Sequence, residues 1–253
     1  MTKNSNHKIF FALFIRSFFI QAVWNFKSLL SIGWTFSLLP IANKIFTDKE
    51  LYQNFLNRHL SFFNAHPYVA SYALGAIARL EEEAAKSDKK NYEQIEKFKN
   101  AIIGPLGAIG DQLFWAIIKP ASIIVGFFGI LVMPEIYQKL IFLVIFLILY
   151  NIPHIYIRYL GIVRGYNEGF SIYRKLRIEN FSKLKTIYSI IGGLVFSIVI
   201  GYLVHQSVQR DLVEIPMFWM SFGIAYFLRS RRRMTYLPVF IPLIIAMVIG
   251  ILI

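Results

Sequence analysis

Five charge-free windows divide the second half of the chain: Pro120 to Pro134, Leu140 to Ile157, Thr186 to Gln209, Ile215 to Leu228 and Met234 to Ile253. A helix needs about 20 apolar residues to cross a bilayer, within a range of about 17–25. The second, third and fifth windows are long enough alone. The first becomes long enough when it borrows Gln112 to Lys119. The fourth is short enough to tilt, thin the bilayer or re-enter. If all five span, the basic loops at 174–185 and 229–233 fall on one side and the weakly charged loops at 133–139 and 206–214 on the other. Lysine and arginine concentrate in cytoplasmic loops, so the pattern predicts a cytoplasmic N-terminus.

The first hundred residues read differently. From Lys8 the chain is apolar and aromatic, interrupted by Arg16. Ser17, Gln21, Asn25 and Ser28 recur at helical spacing as one polar stripe. A helix with such a stripe lies in the membrane interface or packs on a partner. Pro40 is expected to end this segment. Residues 47–85 read as two helices parted at His66-Pro67, with Thr47 or Asp48 as N-cap, the second ending in the acidic turn Glu81 to Glu83. Residues 86–100 mix both charges and read as the aqueous stretch. The expected architecture is an all-α integral membrane protein. An N-terminal amphipathic, cytoplasmic or interfacial helical region (1–100) and a re-entrant segment lead into a membrane-embedded helical region (101–253) of about five apolar segments.

Composition supports this division. Only 16% of the residues are charged, against about 25% in a soluble domain, and mean hydropathy is +0.54. The net charge of +13 invites a nucleic-acid reading. The basic residues instead sit in short loops beside apolar runs, which is the topology signal of a membrane protein, so no nucleic-acid partner is expected. The chain has no cysteine, which excludes disulfides and thiolate-ligated metals. The histidines show no metal-ligand spacing beyond the loose pair His59 and His66. No nucleotide fingerprint, zinc-protease motif or nucleophile elbow is present. Neither a metal nor a cofactor nor a catalytic residue is expected.

The stretch from Ile102 to Pro120, IIGPLGAIGDQLFWAIIKP, carries the candidate chemistry. Gly104, Gly107 and Gly110 recur every three residues, with Pro105 and Pro120 around them. The stretch reads either as a broken or re-entrant segment or as a glycine-rich turn before a membrane helix. Asp111 and Lys119 are its ionisable residues. A buried acid here needs a partner, from Arg58, Arg158, Arg164 or another chain; the alternative is an interfacial acid on the aqueous side. If Asp111 is buried and Glu82 is not, Asp111→Asn disturbs the protein more than Glu82→Gln. Gln112, Trp115 and Asn151 are types that bind sugars, an amide for hydroxyls and an indole for a pyranose face, and they also serve as interfacial anchors. Further on, Gly161, Gly165 and Gly169 recur every four residues and form a smooth ridge for close helix packing. His154 and Arg158 share one face, and Arg164 and Glu168 are spaced to pair.

The segments FIRSFFIQAVWNFKSLLSIGWTFSLLP (14–40), NRHLSFFNAHPYVASYALGAIARLEEE (57–83), IIGPLGAIGDQLFWAIIKP (102–120) and YNIPHIYIRYLGIVRGYNEG (150–169) together resemble the IID subunit of the mannose/fructose/sorbose family of bacterial sugar phosphotransferase systems. Gln112 departs from the family's usual proline, and the C-terminal part is short. The resemblance implies a multi-pass subunit of the bacterial cytoplasmic membrane that forms the translocation unit for a hexose-type sugar with a IIC subunit, as a hetero-oligomer of one or several pairs. It further implies that IIA and IIB proteins relay phosphate from phosphoenolpyruvate, so that the IID chain is itself non-catalytic. Asp111, Gln112, Trp115, Lys119, Asn151, His154 and Arg158 are then the candidates for the sugar path or the IIC interface. Gly104, Gly107, Gly110, Gly161, Gly165 and Gly169 are the helix-packing candidates. Two other classes stay open: a diverged, non-transporting membrane scaffold or sensor, and an independent secondary transporter or channel with Asp111 and Lys119 in its path.

Overall fold

The computed structural model describes residues 3–87 and 91–210. The apolar windows at 215–228 and 234–253, and the basic loop between them, lie outside the described residues. The chain divides into two compact units, Met1–Gly193 and Leu194–Ile253. In the first unit, helices α1 (Lys3–Ser17), α2 (Ser31–Ile45), α3 (Lys49–Leu60) and α4 (Ala70–Lys86) are followed by α5 (Tyr92–Gly110), α6 (Lys119–Val132), α7 (Ile136–Glu168) and the short α8 (Ile172–Lys175). The last described helix, α9 (Ser182–Arg210), begins in the first unit and ends in the second.

The most extensive packing joins α4 to α7, and small residues make it possible. A side chain at Gly165 would overlap the Tyr72 backbone, and one at Gly161 would meet Ser71 and Tyr72. From the other side, Gly75 lies against the backbone of Ile162 and Tyr166. Close backbone approach of this kind is what small residues at helix contacts permit. Gly169, with φ of 55°, ends α7, a left-handed position that glycine adopts without steric cost.

Two prolines sit inside helices with compensation. Pro40 lies within α2 instead of ending it. It has no N–H for the carbonyl of Phe36, four residues back, and the Arg16 guanidinium donates to that carbonyl at 3.2 Å. Pro153, inside α7, leaves the Leu149 carbonyl free in the same way, and the Tyr188 hydroxyl donates to it at 2.6 Å.

The polar stripe at 17–28 is not a helical face. α1 stops at Ser17, and residues 18–30 form turns in which the Asn25 side chain accepts from the Lys27 and Ser28 backbone. Leu29 sits at φ 54° there, and the next residue, Leu30, donates to the Phe63 carbonyl. Local side-chain bonds from asparagine compete with helix in this way. The N-cap expected before α3 is Asp48, which accepts from Leu51 N at 2.9 Å.

Residues 102–120 are helical throughout. α5 passes into a π-helical segment, Asp111–Ile118, and that passes into α6. The interruption signalled by the glycines and prolines is therefore a change of helical width and not a turn. The wide register ends at Ile118, and Pro120 stands in the first turn of α6, where a proline is tolerated. Tyr92–Val132, Ile136–Lys175 and Ile178–Leu203 are each long and apolar enough to cross a membrane. The outer face of α7 leaves Ile141, Val144, Leu147 and Ile148 exposed, as a lipid-facing or partner-facing surface does.

Candidate functional site

The loop between α3 and α4 carries His66, Pro67 and Tyr68 against α7 and the π segment. The His154 ring stacks on Tyr68, with centroids 4.5 Å apart and planes 21° from parallel. The Tyr68 hydroxyl bonds the Tyr150 hydroxyl at 2.7 Å. One turn along α7, the Arg158 guanidinium lies between two rings, 4.8 Å from Tyr68 and 4.9 Å from Phe18. It donates to the Ser17 carbonyl at the end of α1. Asn151 Oδ1 accepts from His154 Nε2 at 3.0 Å, and the Asn151 amide donates to the Leu147 carbonyl at 2.7 Å.

Towards the π segment, His66 stacks on Phe114 at 5.3 Å and meets the edge of Trp115 at 6.2 Å. The Lys119 ammonium sits 4.4 Å over the Trp115 ring, a cation–π contact. Gly110 is pressed against the His66 ring. Burial, aided by the Arg158 charge, lowers His66 to about 4, so its imidazole is neutral at physiological pH and can both donate and accept. Burial first, and then the Tyr150 hydroxyl, raise the Tyr68 phenol, which keeps it protonated.

Arg158 is 4% exposed, and among the described residues no carboxylate lies within ion-pair distance of it. Its Nε and the Nδ1 of His154 are buried without a hydrogen-bond partner there. Buried polar groups are normally satisfied, and a buried cation costs several kcal/mol unless paired (about that much per ion). Aromatic faces and backbone oxygens supply part of the compensation. The arrangement offers two imidazoles, two phenols, an amide, an indole and two cations: the equipment of recognition, for polyol hydroxyls or for an acidic group of another chain.

Sequence reasoning placed its candidates unevenly. Trp115, Lys119, Asn151, His154 and Arg158 join one cluster. Asp111 and Gln112 are exposed on the π segment beside it. Asp111 is therefore not a buried acid, and Arg58, Arg158 and Arg164 are not its partners. Among the described residues the buried acids are Glu81 and Glu82, at 0% and 3% exposure, although Glu82 is expected from the sequence to be unburied. Glu81 bonds Arg58 at 2.8 Å and His59 at 3.0 Å, and Glu82 pairs with Lys44 and accepts from Tyr166. Lys99 belongs to the same region. It is 1% exposed, donating to the Arg58 carbonyl at 2.9 Å, although the segment around it reads as aqueous. Glu168 pairs with Lys175 and not with Arg164. Among the glycines, Gly104 and Gly107 have no other part of the described chain within reach. His66, Tyr68, Tyr150 and Phe18 are the cluster members that sequence reasoning missed. The His66-Pro67 break was their one local signal.

Helices long enough to span, apolar outward faces and a polar cluster held between them define an all-α membrane protein of the transporter type. A family model described as "PTS system mannose/fructose/sorbose family IID component" matches residues 5–253, and the chain belongs to that family. It is 29% identical over 197 residues to the mannose-specific EIID component of Escherichia coli (strain K12), covering 78% of this chain and 68% of the relative. It is 28% identical over 205 residues to the fructose permease IID component of Bacillus subtilis (strain 168), covering 79% and 70%. Among solved structures it matches a chain of the cryo-electron microscopy complex of the mannose transporter ManYZ with microcin E492. The TM-score is 0.60 and the identity 25%, over 99% of this chain and 95% of that one.

Proposed function

We propose that this IID component pairs with a IIC membrane subunit to form the translocation unit for a hexose-type sugar, without catalysing phosphoryl transfer itself. IIA and IIB partners supply the phosphoryl group. The chain is a multi-pass protein of the bacterial cytoplasmic membrane with a cytoplasmic N-terminus and about five membrane segments. Residues 1–100 are its interfacial region and 101–253 its membrane-embedded region. The observation that carries the reading is the cluster of Trp115, Lys119, His66, Tyr68, Asn151, His154 and Arg158. Its donors and acceptors are largely neutral, its aromatic faces are available for stacking, and its one buried cation lacks a carboxylate among the described residues. Such a set recognises hydroxyls or completes itself on a partner subunit. The mannose and fructose names of the relatives support the hexose class.

The test is phosphoenolpyruvate-dependent sugar uptake by membranes carrying the IIC, IIA and IIB proteins, with and without this chain. Uptake that requires the chain is expected. Uptake unchanged by its deletion would sink the proposal.

A further inference from the structure

A polar cavity lies beside the α4–α7 contact, where α7 ends and the chain turns towards α9. It has a volume of about 340 Å³ and is lined by Tyr72, Arg164, Glu168, Ile172, Lys175, Leu176, Asn180 and Phe181. Its wall is half apolar, from Ile172, Leu176 and Phe181, with the Phe181 ring edge-on to Tyr72 at 6.3 Å. The polar half has an unbalanced charge. Lys175 neutralises Glu168, and Asn180 donates to the Lys175 carbonyl. Arg164 is exposed and has no carboxylate within ion-pair distance among the described residues. The Tyr72 hydroxyl, on a residue only 3% exposed, lies close enough to the Arg164 guanidinium for its oxygen to accept, and no acceptor for its own proton is found among the described residues. A charged donor and an unused neutral donor thus converge on one partly open cavity. The cavity also sits at the junction of two stretches long enough to span a membrane, Ile136–Lys175 and Ile178–Leu203. Between Arg164 and Lys185 the sequence has six basic residues and two acidic ones.

We infer that this cavity binds the phosphodiester of an anionic phospholipid. The single unbalanced positive charge matches the single negative charge of a phosphodiester. A free phosphate or a sugar phosphate carries about −1.5 to −2 at neutral pH and would meet the Glu168 carboxylate with charge to spare. Arginine and a hydroxyl are strong donors to phosphate oxygens. The apolar wall accepts the glycerol and the first methylenes, which a soluble anion lacks. The surrounding basic residues raise the local concentration of anionic lipid, as juxtamembrane basic segments do. The site lies outside the cluster assigned to sugar or partner recognition, so its occupancy is independent of whether that cluster takes either.

The experiment is native mass spectrometry of the purified full chain in mild detergent, titrated separately with phosphatidylglycerol, phosphatidylcholine and inorganic phosphate. One phosphatidylglycerol retained per chain is expected, with phosphatidylcholine weaker and no displacement by millimolar phosphate. Arg164→Gln lowers the apparent affinity about tenfold, as loss of one charge-assisted bond does. Tyr72→Phe keeps the packed ring and lowers it several-fold. Lys97→Gln, an equal loss of charge on a distant exposed residue, leaves it unchanged. Equal retention of the two lipids overturns the inference, as does an equal effect of Lys97→Gln and Arg164→Gln. Displacement of the lipid by millimolar phosphate would mark a soluble-anion site instead and overturns it as well. Because the chain is tested alone, a failed sugar-uptake assay leaves this result standing.

Discussion

Two buried charged regions hang on the same helix, α4, and they differ in one respect. Near its C-terminal end both acids have cations from this chain: Glu81 has Arg58, and Glu82 has Lys44. Beyond its N-terminal end, Arg158 has aromatic faces and the Ser17 backbone but no carboxylate among the described residues. The first region ties α2, α3, α4 and α7 together, and Lys99 adds α5 through the end of α3. It is architecture. The second leaves the Arg158 Nε–H without an acceptor, and a group left unused at such a cost points to a ligand or a partner. An unused atom alone does not separate the two, because His59 Nδ1 in the first region is also without a partner. A neutral imidazole that donates through Nε2 to Glu81 leaves that nitrogen bare, whereas a guanidinium always has its protons to place.

The comparison can be broken at its shared frame first. Gly165→Leu drives a side chain into the backbone of Tyr72 and Ala76 and is expected to cost more than about 4 kcal/mol, since backbone cannot repack. Both regions are then lost, read as disappearance of the assembled complex on a native gel. An unaltered complex would mean that α4 and α7 are not held by this contact.

Glu81→Gln separates the regions. It strands Arg58 beneath the surface and is expected to cost about 3–5 kcal/mol, lowering Tm by on the order of 10 °C. The same network gives a pH dependence. Burial pushes the Glu81 carboxyl up, but the His59 hydrogen bond and charge, with Arg58, outweigh it and hold it below its ordinary value of 4.5. Its contribution is complete above that pH and is lost as pH falls through the lowered folded value. Burial, against the pull of Glu81, lowers His59 from 6.5. The unfolded chain therefore takes up a proton below 6.5 that the folded chain refuses, and stability starts to fall there. Thermal melts between neutral and acid pH check both signs; a Tm that rises on acidification would contradict them.

Arg158→Met sharpens the other half. Removing a buried cation that has no carboxylate among the described residues is expected to shift stability by less than about 1 kcal/mol. Uptake is expected to fall about tenfold or more, the worth of a charged hydrogen bond to sugar or partner. Uptake retained together with a large drop in Tm would reassign Arg158 to the architecture. The smallest contrast sets Glu82→Gln against Asp111→Asn. The first should cost about 1–3 kcal/mol by weakening the bond to Lys44, and the second less than about 0.5 kcal/mol on an exposed side chain. Melting curves in the reverse order would restore the buried-acid reading of Asp111.

Much of this protein is legible in the residues themselves. Long charge-free windows have no soluble alternative at this length, and the described ones fall in helices long enough to span. A glycine every four residues can only make a smooth helical ridge, and Gly161 and Gly165 do lie where α4 comes closest. Linked motifs across residues 14–170 resemble the IID family, and that resemblance lies in the residues alone. Charge burial was not legible. Asp111 and Glu81 are both acids beside apolar runs. Which one is buried depends on what packs over it, and Arg58 and His59 reach Glu81 from a helix more than twenty residues away. Nor could the sequence show that a proline inside a helix is supported, since Arg16 and Tyr188 come from elsewhere in the chain to the carbonyls that Pro40 and Pro153 leave free. Periodicity and composition act within a turn or two and so are written locally. Burial, pairing and the convergence of His66, Tyr68, His154 and Arg158 are decided by contacts between distant segments, and only the tertiary structure brings those together.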